Sequence, residues 1–307
     1  MIILQILLLA LGFAMLVKGA DWFVDGTSGV ARKLGIPQLV VGLTIVAMGT
    51  SAPEAAVSIT AAMKGNASIA IGNVVGSNIL NILIILGLTA VITSVAIQKS
   101  TLWIEIPYML VVTIVLIIMG LDQSVSRVDG VILWAMFIAY LGYLFYLAKN
   151  GKEENEEVTT AIWKLLLSAV VGGVVVVWGS DVTVDAATAI AQTMGISERF
   201  IGLTIVALGT SLPELVTSVT AARKGNADIA IGNIVGSNIF NILFVIGTTA
   251  LIIPVPYAPS FIIDGIIAVG TGVLLWLSVC KKLELRRPWG IVMLLAYAAY
   301  FVYLLMI

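Results

Sequence analysis

Residues 41–92 recur at 201–252, at a constant offset of 160, without a gap and with 36 of 52 positions identical. Two stretches this similar must take the same local structure, so the chain is built from two related halves. Each copy carries a polar segment: Gly49-Thr50-Ser51-Ala52-Pro53-Glu54 in one, Gly209-Thr210-Ser211-Leu212-Pro213-Glu214 in the other. Both segments lie inside otherwise apolar runs. Glu54 and Glu214 at matched positions in such surroundings point to a two-fold cation site within a membrane.

The 307 residues are 60% hydrophobic and only 11% charged, with a mean hydropathy of +1.12. A soluble domain is nearer a quarter charged, and several uncharged runs here are long enough to span a bilayer. The expected class is an all-α polytopic membrane protein; a transmembrane barrel would alternate in ten-residue segments instead. With a net charge of −1 and no basic patch, nothing suggests nucleic acid. A single cysteine, Cys280, excludes an internal disulfide and a cysteine metal cluster. There is no histidine, which removes the usual general base, zinc ligand and proton relay. No acid pair stands beside a nucleophile motif, so a membrane-embedded enzyme is not expected, and no cofactor is implied.

Ten spans can be drawn, at about 2–24, 39–62, 68–95, 102–120 and 129–148, then 161–185, 199–222, 228–252, 260–280 and 289–306. Residues 1–148 form the first five-helix half and 161–307 the second. The charged segment 149–160 between them reads as a short solvated cytoplasmic linker. The N-terminal run lacks a basic leader and enters Lys18-Gly19-Ala20-Asp21, the counterpart of internal Trp178-Gly179-Ser180-Asp181. It is therefore expected to be a retained first helix. Five spans per copy invert the second half relative to the first, as in secondary transporters. With the N-terminus outside, 12 basic residues fall on inside segments and 3 on outside ones. The positive-inside rule then puts both termini outside the cell membrane.

On a helix, Ala47, Thr50, Ser51 and Glu54 share one face, as do Ala207, Thr210, Ser211 and Glu214. Pro53 and Pro213 lack an N–H, so the carbonyls of Gly49 and Gly209 lose their helical partners. In a membrane such open backbone is tolerated only beside a cavity or ion. The following helices carry Gly72-Asn73-Val74-Val75-Gly76-Ser77-Asn78-Ile79-Leu80-Asn81 and, in the second half, Asn233, Gly236, Ser237, Asn238 and Asn241. Ser77 with Asn81, and Ser237 with Asn241, are four residues apart and are expected to complete the site. Asn73, Asn78, Asn233 and Asn238 read rather as helix–helix hydrogen bonders, and the two GxxxG patterns as close packing. The donors are hard oxygens, which suit Ca²⁺, Na⁺ or Mg²⁺ and disfavour zinc or copper. Asp21, Asp25, Asp181 and Asp185 also repeat and are expected to cap or bridge helices. Glu105 and Asp264 have no match in the repeat and are expected at the interface.

The paired Gly-Thr-Ser-x-Pro-Glu and Gly-Ser-Asn-Ile-x-Asn motifs resemble the two α-repeats of the cation/calcium antiporter superfamily, most closely its prokaryotic sodium/calcium exchangers. The resemblance implies a cluster of ion sites at the midplane. Glu54 and Glu214 would ligate Ca²⁺ with the backbone carbonyls of Thr50 and Thr210. One flanking Na⁺ site would use Ala47, Thr50, Ser51 and Ser77, the other Ala207, Thr210, Ser211 and Ser237, with Asn81 and Asn241 lining the middle. Potassium-dependent relatives, and some sodium/calcium exchangers, carry an aspartate where this chain has Asn241; Asn81 is neutral too, so the site has two carboxylates and no third, which argues against K⁺ co-transport. The expected activity is exchange of Ca²⁺ for Na⁺ by alternating access. Ca²⁺/H⁺ antiport and a divalent-cation channel are the rival readings. The implied partners are the two ions and the lipid bilayer, with no protein partner.

Overall fold

The computed structural model describes residues 2–65, 67–151, 159–194 and 207–306. The chain is an all-helical polytopic membrane fold. Its helices are α1 (Ile2–Leu34), α2 (Gln38–Thr50), α3 (Ala52–Met63), α4 (Ile69–Ile92), α5 (Thr101–Asp122) and α6 (Arg127–Asn150) in the first half. The second half has α7 (Ile162–Thr193), α8 (Ala207–Thr210), α9 (Leu212–Arg223), α10 (Ala227–Ile252), α11 (Pro259–Val279) and α12 (Arg287–Met306). Eight of these are long and apolar enough to cross a bilayer, and α2 with α3 passes as a ninth span bent by 49°. The expected span at 199–222 begins outside the described residues, as do Lys152 and Arg199 of the charge count and most of the 149–160 linker; α8 and α9 are its described part.

The two long helices exceed the expected spans, α1 running to Leu34 and α7 to Thr193. They pack antiparallel along a line of small residues. A methyl group added at Gly12 would meet Thr183, at Gly19 Val176, and at Gly26 the backbone of Ala169 at 2.4 Å. From the other side, Gly172 faces Phe23 and Gly179 faces Met15 and Leu16. The backbones approach this closely because no side chain stands between them. Helices α4 and α10 form the centre: 94% of the apolar window of α10 is buried, against 11% for α12. Outer helices present Phe13, Ile118, Phe145, Val170 and Leu295 to the surroundings, as lipid contact requires.

Four two-residue strands join the loops. Strand β1 (Val95–Ala96) pairs antiparallel with β4 (Glu284–Leu285), and β2 (Ser124–Val125) with β3 (Val255–Pro256). Each pair ties a loop of one half to a loop of the other, at opposite ends of α5 and α11. A capping box of Ser126 and Asp129 starts α6, satisfying its first free N–H groups.

Candidate functional site

Helix α2 stops at Thr50 and α3 starts at Ala52, with Ser51 between them at φ −83°, ψ 9°. Ser211 sits between α8 and α9 at φ −94°, ψ 5°. In both places the proline is two residues on, in the first helical turn, where the N–H has no partner within the helix to lose. The expected break is therefore present twice, and Glu54 and Glu214 fall in the first turn after it.

The two breaks face each other. The Ser51 hydroxyl donates to Oε1 of Glu214 at 2.7 Å, and the Ser211 hydroxyl donates to Oε1 of Glu54 at 3.2 Å. Each serine thus serves the carboxylate of the other half. Both glutamates are 1% exposed. The ion pairs of Lys224 with Asp21 and Asp25, and of Arg286 with Glu284, involve neither glutamate, and Oε2 of each glutamate has no partner among the described residues.

The asparagines order the surroundings. Asn73 donates to the Glu54 carbonyl at 3.2 Å and to Ser58 Oγ at 2.9 Å. Asn233 does the same to the Glu214 carbonyl and Ser218. Asn78 and Asn238 donate to each other's backbone carbonyls at 3.0 and 3.1 Å. Asn81 donates to Oδ1 of Asn238 and Asn241 to Oδ1 of Asn78. The amide nitrogens of Asn81 and Asn241 are thereby taken, and their own oxygens are left over.

Those leftover atoms define the site. Oε2 of Glu54, Oε2 of Glu214, Oδ1 of Asn81 and Oδ1 of Asn241 are all buried and have no hydrogen-bond partner among the described residues. Orphaned buried acceptors are costly in an apolar interior. Here all are hard oxygens, the donor type that holds Na⁺ or Ca²⁺. Asn81 and Asn241 each open a π-helical stretch, Asn81–Leu86 and Asn241–Ile246, a distortion common at functional sites.

The other expected residues sit on the broken helices α2 and α8, in the breaks that follow them, and on α4 and α10. The single Thr50 hydroxyl proton has Asn233 Oδ1 at 2.9 Å and the Val46 carbonyl at 3.1 Å as alternative acceptors, so that proton is committed to structure. Ala47, Ser51 and Ser211 are buried, and Thr210 is half-buried. Ala207 opens α8. Ser237, which the resemblance groups with Ala207, donates its hydroxyl to the carbonyl of Ala47, in the other half, at 3.4 Å. The halves interlock, so residues near one break come from both copies; Ser77 is likewise buried, on α4. Ser58 and Ser218 were not singled out from the sequence, though their identity across the repeat was a usable signal. Ser180 left no such signal: its hydroxyl donates to the freed carbonyl of Gly209 at 2.6 Å, and Ala20 stands at the matching position of the first half.

Glu105, on α5, is fully buried within the protein and accepts a hydrogen bond from Tyr143 of α6. Asp264, on α11, is half-buried and accepts from Tyr300 at 3.1 Å. Both acids are paired to the neighbouring helix. Asp21 and Asp25 bridge helices as expected, holding Lys224 at 3.2 and 2.8 Å.

The sodium/calcium exchanger protein family model matches residues 4–146 and again 164–306. The chain belongs to this exchanger family. It is 38% identical over 302 residues to the putative antiporter CaxA of Alkalimonas amylolytica, across 94% of this chain and 95% of that one. It is 32% identical to the sodium/calcium exchanger MaX1 of Methanosarcina acetivorans, across 99% of each. The solved structure of the sodium-calcium exchanger NCX_Mj superposes with a TM-score of 0.87 at 34% identity, covering 99% of this chain and all of that one. The double match of the exchanger model to one chain agrees with the duplicated motif.

Proposed function

We propose that the protein exchanges Ca²⁺ for Na⁺ across the membrane, using Glu54 and Glu214 as the shared site. The observation that carries this reading is the set of four orphaned oxygens, two carboxylate and two amide, at matched positions of two breaks joined by the crossed Ser51–Glu214 and Ser211–Glu54 bonds. Two carboxylates carry −2, which one Ca²⁺ or two Na⁺ neutralise. Left unneutralised at mid-membrane, each charge costs at least ~2.5–3.5 kcal/mol on insertion scales. Ca²⁺ and Na⁺ therefore compete for the same oxygens, and exchange follows from that competition.

In this reading Thr50 and Thr210 contribute backbone carbonyls, Ala47, Ala207, Ser51, Ser211, Ser77 and Ser237 surround the flanking positions, and Asn81 and Asn241 line the centre. The two halves are inverted five-span units, with α8 and α9 as the described part of the tenth span. Segments assigned to one membrane side support this topology by their contacts. Strand β1 meets β4 and Gln98 donates to Asp228 at 2.6 Å on the Lys/Arg-rich side. Strand β2 meets β3, and Arg127 donates to the Ile252 carbonyl at 3.2 Å, on the other. Both termini would then face outside. The glycine-lined contact of α1 and α7 suits the sliding of one long helix pair past the ion site, which alternating access needs.

The test is Ca²⁺ uptake by proteoliposomes with Na⁺, K⁺ and H⁺ gradients imposed one at a time. Uptake should follow an outward Na⁺ gradient and ignore K⁺. Uptake driven by a pH gradient alone would make the protein a Ca²⁺/H⁺ antiporter instead, and single-channel currents would make it a channel.

A further inference from the structure

The acids that repeat on the two long helices are used unequally. Asp21 and Asp25 of α1 hold Lys224, at the end of α9, at 3.2 and 2.8 Å. Their counterparts at the 160-residue offset, Asp181 and Asp185 of α7, are exposed and have no ion pair among the described residues. Neither has Lys64, the exposed counterpart of Lys224 at the end of α3. Like charges four residues apart on a helix repel, so each acid pair gains from a cation set against both members. Lys224 is that cation for α1, and α7 has none among the described residues.

The packing shows the same imbalance. Leu212 and Val216 of α9 pack against Leu16 and Ala20 of α1 and Val176 of α7, and with Thr220 they are half-buried. The matching residues of α3, Ala52, Ala56 and Thr60, are all exposed. Val17 and Asp21 of α1 share a groove with Thr220 and Lys224. The groove along α3 that holds Thr60 and Lys64 has no described residue of α7 in its walls. A cavity of about 600 Å³ stands instead between Val177 and Asp181 of α7 and Gly49 and Ala52 at the first break. Elsewhere the two halves answer each other: Ser51 and Ser211 cross to the opposite glutamates, and Asn78 and Asn238 exchange bonds. A two-fold relation that seats Asp21 and Asp25 on Lys224 provides an equivalent seat for Asp181 and Asp185 on Lys64, and that seat is unfilled in this arrangement.

We propose that Lys64 and Lys224 are two alternating latches: when the α1–α7 pair shifts toward the first half, Asp181 and Asp185 close on Lys64 as Asp21 and Asp25 leave Lys224. This rests on the alternating-access reading above and adds the residues that hold its two states. In that topology Lys224 lies at the inner end of its span and Lys64 at the outer end, so the arrangement seen here is latched inside and unlatched outside. The cavity beside Gly49 and Ala52 is the space that α7 enters. Helices α1 and α7 touch backbone to backbone at Gly19, Gly26 and Gly172, so they move together and seating one unseats the other. Exposed ion pairs contribute little to stability, which suits a contact made and broken in every cycle.

The test reads which seat is filled, in the purified full-length protein with Cys280→Ser removing the native thiol. A single cysteine, T60C on α3 or T220C on α9, is labelled with a maleimide and its rate is measured. With Lys224 latched, T60C should react faster than T220C, as their exposures require. Lys224→Glu sets a third acid against Asp21 and Asp25. It should speed T220C several-fold and, as α7 docks on α3, slow T60C several-fold. Adding Lys64→Ala should restore the T60C rate, while adding Lys64→Arg, which keeps the charge, should leave T60C slow. If Lys224→Glu does not fold, the milder Lys224→Gln takes its place. A T60C rate that does not fall on loss of the Lys224 latch, or that stays low after Lys64→Ala, would overturn the proposal. Exchange in proteoliposomes is scored alongside on the wild type. Exchange without protection of T60C overturns the latch alone, whereas protection without exchange keeps the latch and sinks the exchange reading.

Discussion

The two copies of the motif have nearly the same residues but are held differently. In the second copy, Ser180 of α7 caps the Gly209 carbonyl, Val184 packs against Gly209, and Lys224 at the end of α9 is docked on Asp21 and Asp25 of α1. In the first copy the matching residues are Ala20, Val24 and Lys64. Ala20 has no hydroxyl, the space beside Gly49 is bounded by Phe23 at 3.3 Å, and Lys64 is exposed with no ion pair among the described residues. The four orphaned oxygens are matched across the repeat, while the contacts that brace the two breaks are not. A duplicated site can thus bind equivalently from both halves and still rest with one half more tightly clamped. Alternation between two access states needs that difference.

The comparison can be broken at several points, and the largest effect belongs to the symmetric part. Glu54→Gln and Glu214→Gln should each disable exchange, and equally. Removing one partner of a buried charge cluster costs about 3–5 kcal/mol, or roughly two to four orders of magnitude in ion affinity. Isotope flux in proteoliposomes reads this, and strongly unequal losses would show that the halves do not share one ion.

Next come the crossing serines. A hydrogen bond to a charged group contributes about 1.5–3 kcal/mol, so Ser51→Ala and Ser211→Ala should each lower Ca²⁺ affinity at least about tenfold. Ser51→Ala should be the worse, because its bond is 2.7 Å against 3.2 Å for Ser211. Titration calorimetry on both variants measures the order.

The bracing contacts should be weaker and one-sided. Ser180→Ala removes a neutral bond of about 0.5–1.5 kcal/mol and frees a carbonyl in the second copy only. The expected result is a several-fold change in the Na⁺ dependence of transport, with Ca²⁺ binding nearly intact. Ala20→Ser would build the missing cap in the first copy and should shift the same parameter. Smallest of all is Lys224→Ala. Its partly exposed pairs should contribute only ~0.2–1 kcal/mol and fade with salt. Transport rates at low and high ionic strength should separate it from Lys64→Ala, which should be silent in this clamped arrangement.

Most of the site was legible before the fold. Glu54 and Glu214 stood out because a charge in an apolar run has few innocent explanations, and the repeat doubled the signal. The breaks at Ser51 and Ser211 followed from proline chemistry. Asn73, Asn78, Asn233 and Asn238 became helix–helix bonders as their amide chemistry suggested. What was hidden depends on which helices become neighbours. Periodicity could not bring Ser237 to the Ala47 carbonyl, because that contact crosses halves. Nor could it bury Glu105, whose surroundings come from tyrosines on another helix. Ser180 was invisible for a different reason: it breaks the repeat, and the repeat was the guide.

The central claim is that Na⁺ and Ca²⁺ compete for one pair of carboxylates. Calorimetric titration of Ca²⁺ into the purified protein at rising Na⁺ tests it most directly. The account predicts that apparent Ca²⁺ affinity falls more steeply than one Na⁺ per site would give, and that Glu54→Gln abolishes the Ca²⁺ signal. Ca²⁺ affinity that ignores Na⁺, or survives loss of both Glu54 and Glu214, would contradict it.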